Sequence, residues 1–202
     1  MKEIKKNNYN ISYYNSYFKN ILKISQDINL QTFFKIHKLI EEKIQKKKNI
    51  FVAGNGGSGA ISNHLMCDFN KGIKISSQYK VAPKIISLSS SLELITAISN
   101  DISYDEIFKF QLENYYNKGD CLICFSCSGQ SKNIINVMKF ANKKKIKTVL
   151  FQGFGKLNNK IIPDFYINLN FRNYGLTEDL FQNFMHIISQ LIRKKYSNDT
   201  VL

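Results

Sequence analysis

A chain of 202 residues can bury one sizeable core, so a single domain over 1–202 is expected. Its 29 Lys and Arg against 15 Asp and Glu give a formal net charge of +14. The short runs Lys46-Lys47-Lys48, Lys143-Lys144-Lys145 and Arg193-Lys194-Lys195 fall at predicted helix ends rather than in one stripe. We therefore read the charge as drift in an Asn- and Ile-rich chain, not as a nucleic-acid surface.

The chain begins with two amphipathic helices, over 11–25 and 30–47, separated near Asp27-Ile28-Asn29. Tyr14, Phe18, Ile21 and Leu22, then Phe33, Phe34, His37, Leu39, Ile40 and Ile44, recur at helical spacing. These helices carry more apolar surface than one sheet needs, which predicts their use in subunit packing. His37, among Phe33, Phe34 and Ile40, reads as a core or interface histidine. Strands follow at 49–54, 84–88, 121–126, 147–152 and 165–169, alternating with helices at 58–71, 91–99, 104–117, 131–143 and 176–195. That alternation predicts an α/β fold, a doubly wound, flavodoxin-like five-stranded parallel sheet with helices on both faces.

The four cysteines are Cys67, Cys121, Cys124 and Cys127. Cys121 and Cys124 lie in one predicted strand and point to opposite faces, so the overlapping C-x-x-C spacings do not form a chelating pair. They read as small buried hydrophobes. The charged start, Met1-Lys2-Glu3-Ile4-Lys5-Lys6, and the lack of a spanning apolar run predict no signal peptide, no membrane contact and a cytoplasmic protein with reduced thiols.

Two passages carry the chemistry. Ile50-Phe51-Val52-Ala53 breaks into Gly54-Asn55-Gly56-Gly57-Ser58, and Cys121-Leu122-Ile123-Cys124-Phe125 breaks into Ser126-Cys127-Ser128-Gly129-Gln130-Ser131. A buried strand, a small-residue loop and a helix N-terminus gather backbone N–H groups and a positive dipole end at one point, as phosphate binding requires. Two such loops at the carboxyl ends of strands in one sheet predict a phosphorylated ligand. On the helix after the first loop, His64 and Asp68 stand at i and i+4, which puts them on one face, one turn apart. On the last helix, Glu178, Gln182 and His186 form an i, i+4, i+8 polar row flanked by Leu180, Phe181, Phe184, Ile187, Ile188 and Leu191. Either row, taken alone, reads first as the solvated edge of a helix, since most such spacings carry no function.

Gly54-Asn55-Gly56-Gly57-Ser58, Ser99-Asn100-Asp101, Ser126-Cys127-Ser128-Gly129-Gln130-Ser131 and the helix from Glu178 to His186 together resemble the sugar-isomerase (SIS) domain. Within that superfamily the chain is most similar to the bacterial phosphoheptose isomerases, which convert sedoheptulose 7-phosphate to a heptose 7-phosphate. The resemblance implies that Ser126, Cys127 by its backbone, Ser128 and Ser131 bind the sugar phosphate. It also implies that Asn55, Gly56, Gly57, Ser58 and Asp101 line the sugar. The family's catalytic glutamate and histidine fall on Asp68 and His186; with a second histidine and a glutamine, at His64 and Glu178, they can hold zinc. Two of these four depart from the family, Asp68 standing for Glu and Glu178 for Gln. The shorter Asp moves a carboxylate by about one bond, where catalytic geometry is sensitive at the ~1 Å level. The extra carboxylate at Glu178 can compensate as base or ligand, so Asp68, Glu178 and His186 are the catalytic candidates.

These residues predict an aldose–ketose isomerase of a sugar phosphate, acting in surface-polysaccharide (lipopolysaccharide) precursor synthesis. His64, Asp68, Glu178 and His186 are its candidate zinc ligands. The resemblance further implies a homotetramer with sites at subunit boundaries. The competing expectation is a non-catalytic phosphosugar sensor, since SIS domains also serve regulation and one relative of the phosphoheptose isomerases binds the bacterial replication initiator.

Overall fold

The computed structural model describes residues 2–197, with side chains from Asn8 onward; the ends of the expected 1–202 domain lie outside the described residues. Helices α1 (Lys2–Asp27) and α2 (Leu30–Gln45) lead into β1 (Asn49–Gly54) and α3 (Gly56–Cys67). A π-helical turn (Asp68–Ile73) and the short α4 (Lys74–Ser76) connect to β2 (Lys84–Ser87) and α5 (Leu92–Asp101). A 3-10 turn (Tyr104–Glu106) opens α6 (Ile107–Tyr115). The rest is β3 (Cys121–Ser126), α7 (Lys132–Lys143), β4 (Lys147–Gln152), β5 (Phe165–Asn168) and α8 (Tyr174–Tyr196).

All five strands are parallel, in the order β2-β1-β3-β4-β5. This is the doubly wound sheet that the alternation predicts. Each strand divides its side chains between two cores, as its period of two requires. Ile50, Val52, Cys121, Ile123 and Phe125 face α2, α3 and α8, packing on Phe33, Ile40, Leu65, Phe181 and Phe184. Phe51, Ala53, Leu122 and Cys124 face α6 and α7, packing on Phe108, Leu112, Val137 and Met138. Cys121 and Cys124 therefore lie in different cores; both are buried, and burial raises both thiols. Among the described residues, no helix is long and apolar enough to cross a membrane.

The predicted boundaries differ from the observed ones mainly in three helices. α1 begins well before residue 11, because no Gly or Pro interrupts the polar stretch that precedes it. The helix predicted over 58–71 starts at Gly56 and changes to π-helical geometry at Asp68. The helix predicted over 104–117 opens with its 3-10 turn, where Ser103 Oγ accepts a hydrogen bond from the Asp105 N–H. α1 is fixed to α8 by Tyr17, whose hydroxyl donates to Asp179 at 2.6 Å. That hydrogen bond, ahead of burial, pushes the Tyr17 phenol up to about 12.

The amino ends of the strands are clamped by two carboxylates. Asp120, just before β3, is buried and accepts from the Asn49 N–H (2.9 Å), the Asn49 amide (3.1 Å) and the Asn117 N–H (2.8 Å). Asp164, just before β5, accepts from the Thr148 N–H (2.9 Å) and hydroxyl (3.0 Å) and pairs with Lys147. Burial alone would raise the Asp164 carboxyl. The Lys147 ammonium and the two Thr148 donors outweigh burial and hold it below its ordinary 3.8. A carboxyl depressed on folding contributes stability above its unfolded pKa and loses it as pH falls through the folded one. Asp164→Ala is expected to cost about 2 kcal/mol at neutral pH. Denaturant melts of both proteins across the acid range should show the difference constant above the ordinary carboxylate range and vanishing below it.

Candidate functional site

β1 and β3 are hydrogen-bonded neighbours in register, Gly54 beside Phe125, although β2 lies between them in sequence. The helix that follows β1 packs on one face of the sheet, and the helix that follows β3 packs on the other. Their loops separate at the carboxyl edge and leave a crevice, the switch point of a doubly wound sheet. A cavity of about 120 Å³ lies there, lined by Asn55, Ser58, Phe125, Ser126, Cys127, Ser128, Ser131, Tyr174 and Glu178.

The serine loop is held from beneath. Ser126 Oγ accepts from the Gly129 N–H (3.1 Å), and Ser128 Oγ accepts from the Gln130 N–H (3.2 Å). Gly129 has φ +66°, and a Cβ there would run into the side chain of the fully buried Gln152. The Gln152 amide donates to the carbonyls of Phe154 (2.7 Å) and Gly155 (3.0 Å), so a conformation that disfavours a side chain is combined with a packed floor. Ser131 is the N-cap residue of α7, yet its hydroxyl makes no capping hydrogen bond. The N–H groups at this helix end, with the hydroxyls of Ser126, Ser128 and Ser131, form an anion-binding constellation.

The glycine loop is tied to the serine loop by a reciprocal amide pair. Asn55 Nδ2 donates to Asn133 Oδ1, and Asn133 Nδ2 donates to Asn55 Oδ1, both at 2.9 Å. The Tyr104 hydroxyl adds a bond to Asn55 Oδ1 at 3.0 Å. Gly56 and Gly57 open α3, and the Glu178 carboxylate lies directly over Gly57. Ser58 Oγ donates to Glu178 Oε1 at 3.3 Å, and Cys127 Sγ stands 3.7 Å from the same oxygen. Burial first, then the neighbouring Glu178 charge, pushes the Cys127 thiol up to about 11, which makes it a neutral part of the wall. Asp101 is exposed at the end of α5, accepts from the Asn100 amide (2.8 Å) and lines neither this cavity nor the one beside the glycine loop.

α3 and α8 follow parallel strands, pack on the same face of the sheet and so run in the same direction. Three pairs of side chains join them in sequence order. Ser58 meets Glu178 at the cleft. Two turns along α8, His64 Nε2 and His186 Nε2 are 2.9 Å apart, and Gln182 Nε2 is also 2.9 Å from His186 Nε2. An imidazole nitrogen carries either an N–H or a lone pair, so one ring must donate where the other accepts. Two further turns on, Arg193 Nη2 contacts the Asp68 carboxylate and donates to the Asp68 carbonyl at 3.2 Å. This third pair borders a separate cavity of about 400 Å³ with His64, Cys67, Lys71, Gly72, Ile75 and Ser76.

Of the residues predicted for sugar and phosphate, Asn55, Ser58, Ser126, Cys127, Ser128 and Ser131 line one cleft together with Glu178. His64 and His186 meet two turns away, and Asp68 sits with Arg193 beyond them. The four expected zinc ligands are thus distributed over three stations. Among the described residues, no three His, Cys, Asp or Glu side chains are grouped to share an ion. The donors as arranged do not fit the four-ligand zinc site, because the Asp68 carboxylate is engaged by a guanidinium and Glu178 by Ser58. The reading of Arg193 as a solvating helix-end cation also needs correction: its side chain is 20% exposed and paired. Its spacing of seven from His186 places it on the same face as the polar row, a signal present in the sequence. Tyr104, Asn133, Gln152 and Tyr174 are further residues of the site that spacing does not single out.

Residues 13–153 match the SIS domain family. The chain is 31% identical over 169 residues to a phosphoheptose isomerase of Aliarcobacter butzleri, covering 81% of this chain and 85% of that one. It is 29% identical over 170 residues to a probable phosphoheptose isomerase of Thermoplasma acidophilum, covering 84% and 92%. The phosphoheptose isomerase structure from Francisella tularensis superposes with a TM-score of 0.79 at 20% identity over 96% of this chain and 100% of that one. The Neisseria gonorrhoeae enzyme gives 0.78 at 18% identity over 93% and 98%. These two superpositions establish the shared fold, and the sequence matches establish the kinship. The chain belongs to the SIS domain family and, within it, to the phosphoheptose isomerases.

Proposed function

We propose that this phosphosugar isomerase interconverts sedoheptulose 7-phosphate, or a closely related ketose phosphate, with its aldose phosphate. The supporting observation is that one cleft combines the serine loop with the Glu178 carboxylate. The phosphate accepts hydrogen bonds from Ser126, Ser128 and Ser131 and from N–H groups at the start of α7. Asn55 and Ser58 face the sugar. Glu178 removes the proton from the carbon beside the carbonyl, the electron pair moves onto the carbonyl oxygen, and that oxygen gains a proton. The resulting enediol collapses when the Glu178 carboxyl returns its proton to the neighbouring carbon and the other hydroxyl loses its own. The Ser58 hydroxyl, 3.3 Å from Glu178, relays the hydroxyl proton, and His186, held by His64 and Gln182 two turns along α8, positions that helix against α3. In this reading Asp68 yields the role of base to Glu178. The sensor alternative is not favoured, because the relatives matched over most of their length are enzymes.

The heptose phosphate product suits a surface-polysaccharide precursor route in the cytoplasm. The functional unit in this reading is a homotetramer, supported by an apolar seam on α1. Ile11, Tyr14, Phe18 and Leu22 recur at i, i+3, i+7 and i+11, and each is more than half exposed.

Turnover of sedoheptulose 7-phosphate, followed as aldose formation, tests the reaction. Glu178→Gln should lower kcat by about 10²- to 10⁴-fold, and His186→Ala should also lower it, whereas His37→Ala should leave it unchanged. Full activity in Glu178→Gln would remove the assignment of the base. Ser126→Ala with Ser128→Ala should raise KM by roughly 10- to 100-fold, as loss of hydrogen bonds to a charged group requires. Sedimentation velocity tests the assembly: Tyr14→Glu with Phe18→Glu should shift the protein to a smaller species, and an unchanged tetramer would exclude this seam.

A further inference from the structure

The third station on α3 and α8 brings together what a cation site needs and fills the place with a side chain. Asp68 begins the π-helical turn, and Gly72 follows four residues later. A Cβ at Gly72 would overlap Arg193 Nη2, so a bare backbone at this point lets the guanidinium reach the carboxylate. π-helical turns concentrate at functional positions, and this one carries both Asp68 and the gap at Gly72. Arg193 Nη2 contacts the Asp68 carboxylate and its carbonyl, fixing that residue at two points. Both side chains are about four-fifths removed from solvent.

The charges in the adjoining cavity oppose a metal. Its lining supplies one carboxylate, Asp68, and two basic side chains, Arg193 and Lys71. A divalent ion between His64 and Asp68 would face a guanidinium already in contact with the only carboxylate there. The like charge would be strongly felt in a partly buried site.

We infer that Arg193 takes the place of a divalent metal at Asp68, so that this chain works with a guanidinium where its resemblance implies zinc. Arg193 is then a positioning residue. It holds Asp68 and the π-helical turn, and through them the end of α3 that carries His64 toward His186. Only the activity arm of the test rests on the isomerase reading.

The experiment is a zinc chloride titration of gel-filtered protein against a chromophoric chelator, with the metal content measured by mass spectrometry and folding checked by circular dichroism. The wild-type chain should hold substoichiometric zinc and keep its sedoheptulose 7-phosphate turnover in EDTA. Arg193→Gln should gain zinc affinity by about tenfold or more, and adding Asp68→Asn should remove that gain. Arg193→Lys, which keeps the charge, should continue to exclude zinc. One tightly bound zinc in the wild-type chain, lost in Asp68→Asn, would overturn the inference, as would a folded Arg193→Gln with no gain. If Arg193→Gln does not fold, the wild-type titration alone decides. Failure of turnover with every ketose phosphate would defeat the proposed reaction and leave the zinc titrations to decide this point.

Discussion

The site depends on one constraint: β1 and β3 are adjacent in the sheet while their following helices pack on opposite faces. Backbone pairing brings Gly54 and Phe125 level, and the chain then has to leave in two directions. The crevice is therefore a result of topology, and the side chains need only line it. Small residues are required because both loops turn sharply at a place where helix, strand and ligand approach one another. Gly129 shows how closely the parts are fitted, since its left-handed backbone sits directly on Gln152.

The second constraint is the shared direction of α3 and α8. Because they follow parallel strands and return over the same face, contacts between them recur in sequence order. Ser58 with Glu178, His64 with His186 and Asp68 with Arg193 form a graded line from a hydroxyl–carboxylate contact, through an imidazole pair, to an ion pair. One long helix thus brings a carboxylate, an imidazole and a guanidinium to three depths of the same seam. The carboxylate is the one that shares the cleft with the serine loop.

Much of this was legible from residue spacing. The alternation Ile50/Phe51/Val52/Ala53 foretold a strand buried on both faces, and the small residues after it foretold the turn into α3. The rows His64/Asp68 and Glu178/Gln182/His186 are readable as helix faces, because 3.6 residues per turn fixes which side chains are neighbours along a helix. What spacing does not fix is the slide of one helix along another. Asp68, Glu178 and His186 were therefore expected at one point, and they occupy three. Arg193, 125 residues from Asp68 in the chain, is brought to it by tertiary packing and by the gap at Gly72. Asn133 was invisible for a similar reason: a lone Asn in the first turn of a helix has many uses, and only its reciprocal pair with Asn55 reveals this one.

The two carboxylate clamps at the amino edge have a consequence for how such a protein can change. Asp120 and Asp164 join neighbouring strands at the end of the sheet remote from the crevice, where they hold the strand starts in register. Stability and chemistry are thus located at opposite rims of the same five strands. A chain whose folding threshold is met at one rim can carry Glu178 in place of a Gln at the other with little risk to the fold. The sheet acts as a spacer between the clamped strand starts and the crevice, and the departure at Glu178 lies on the crevice side.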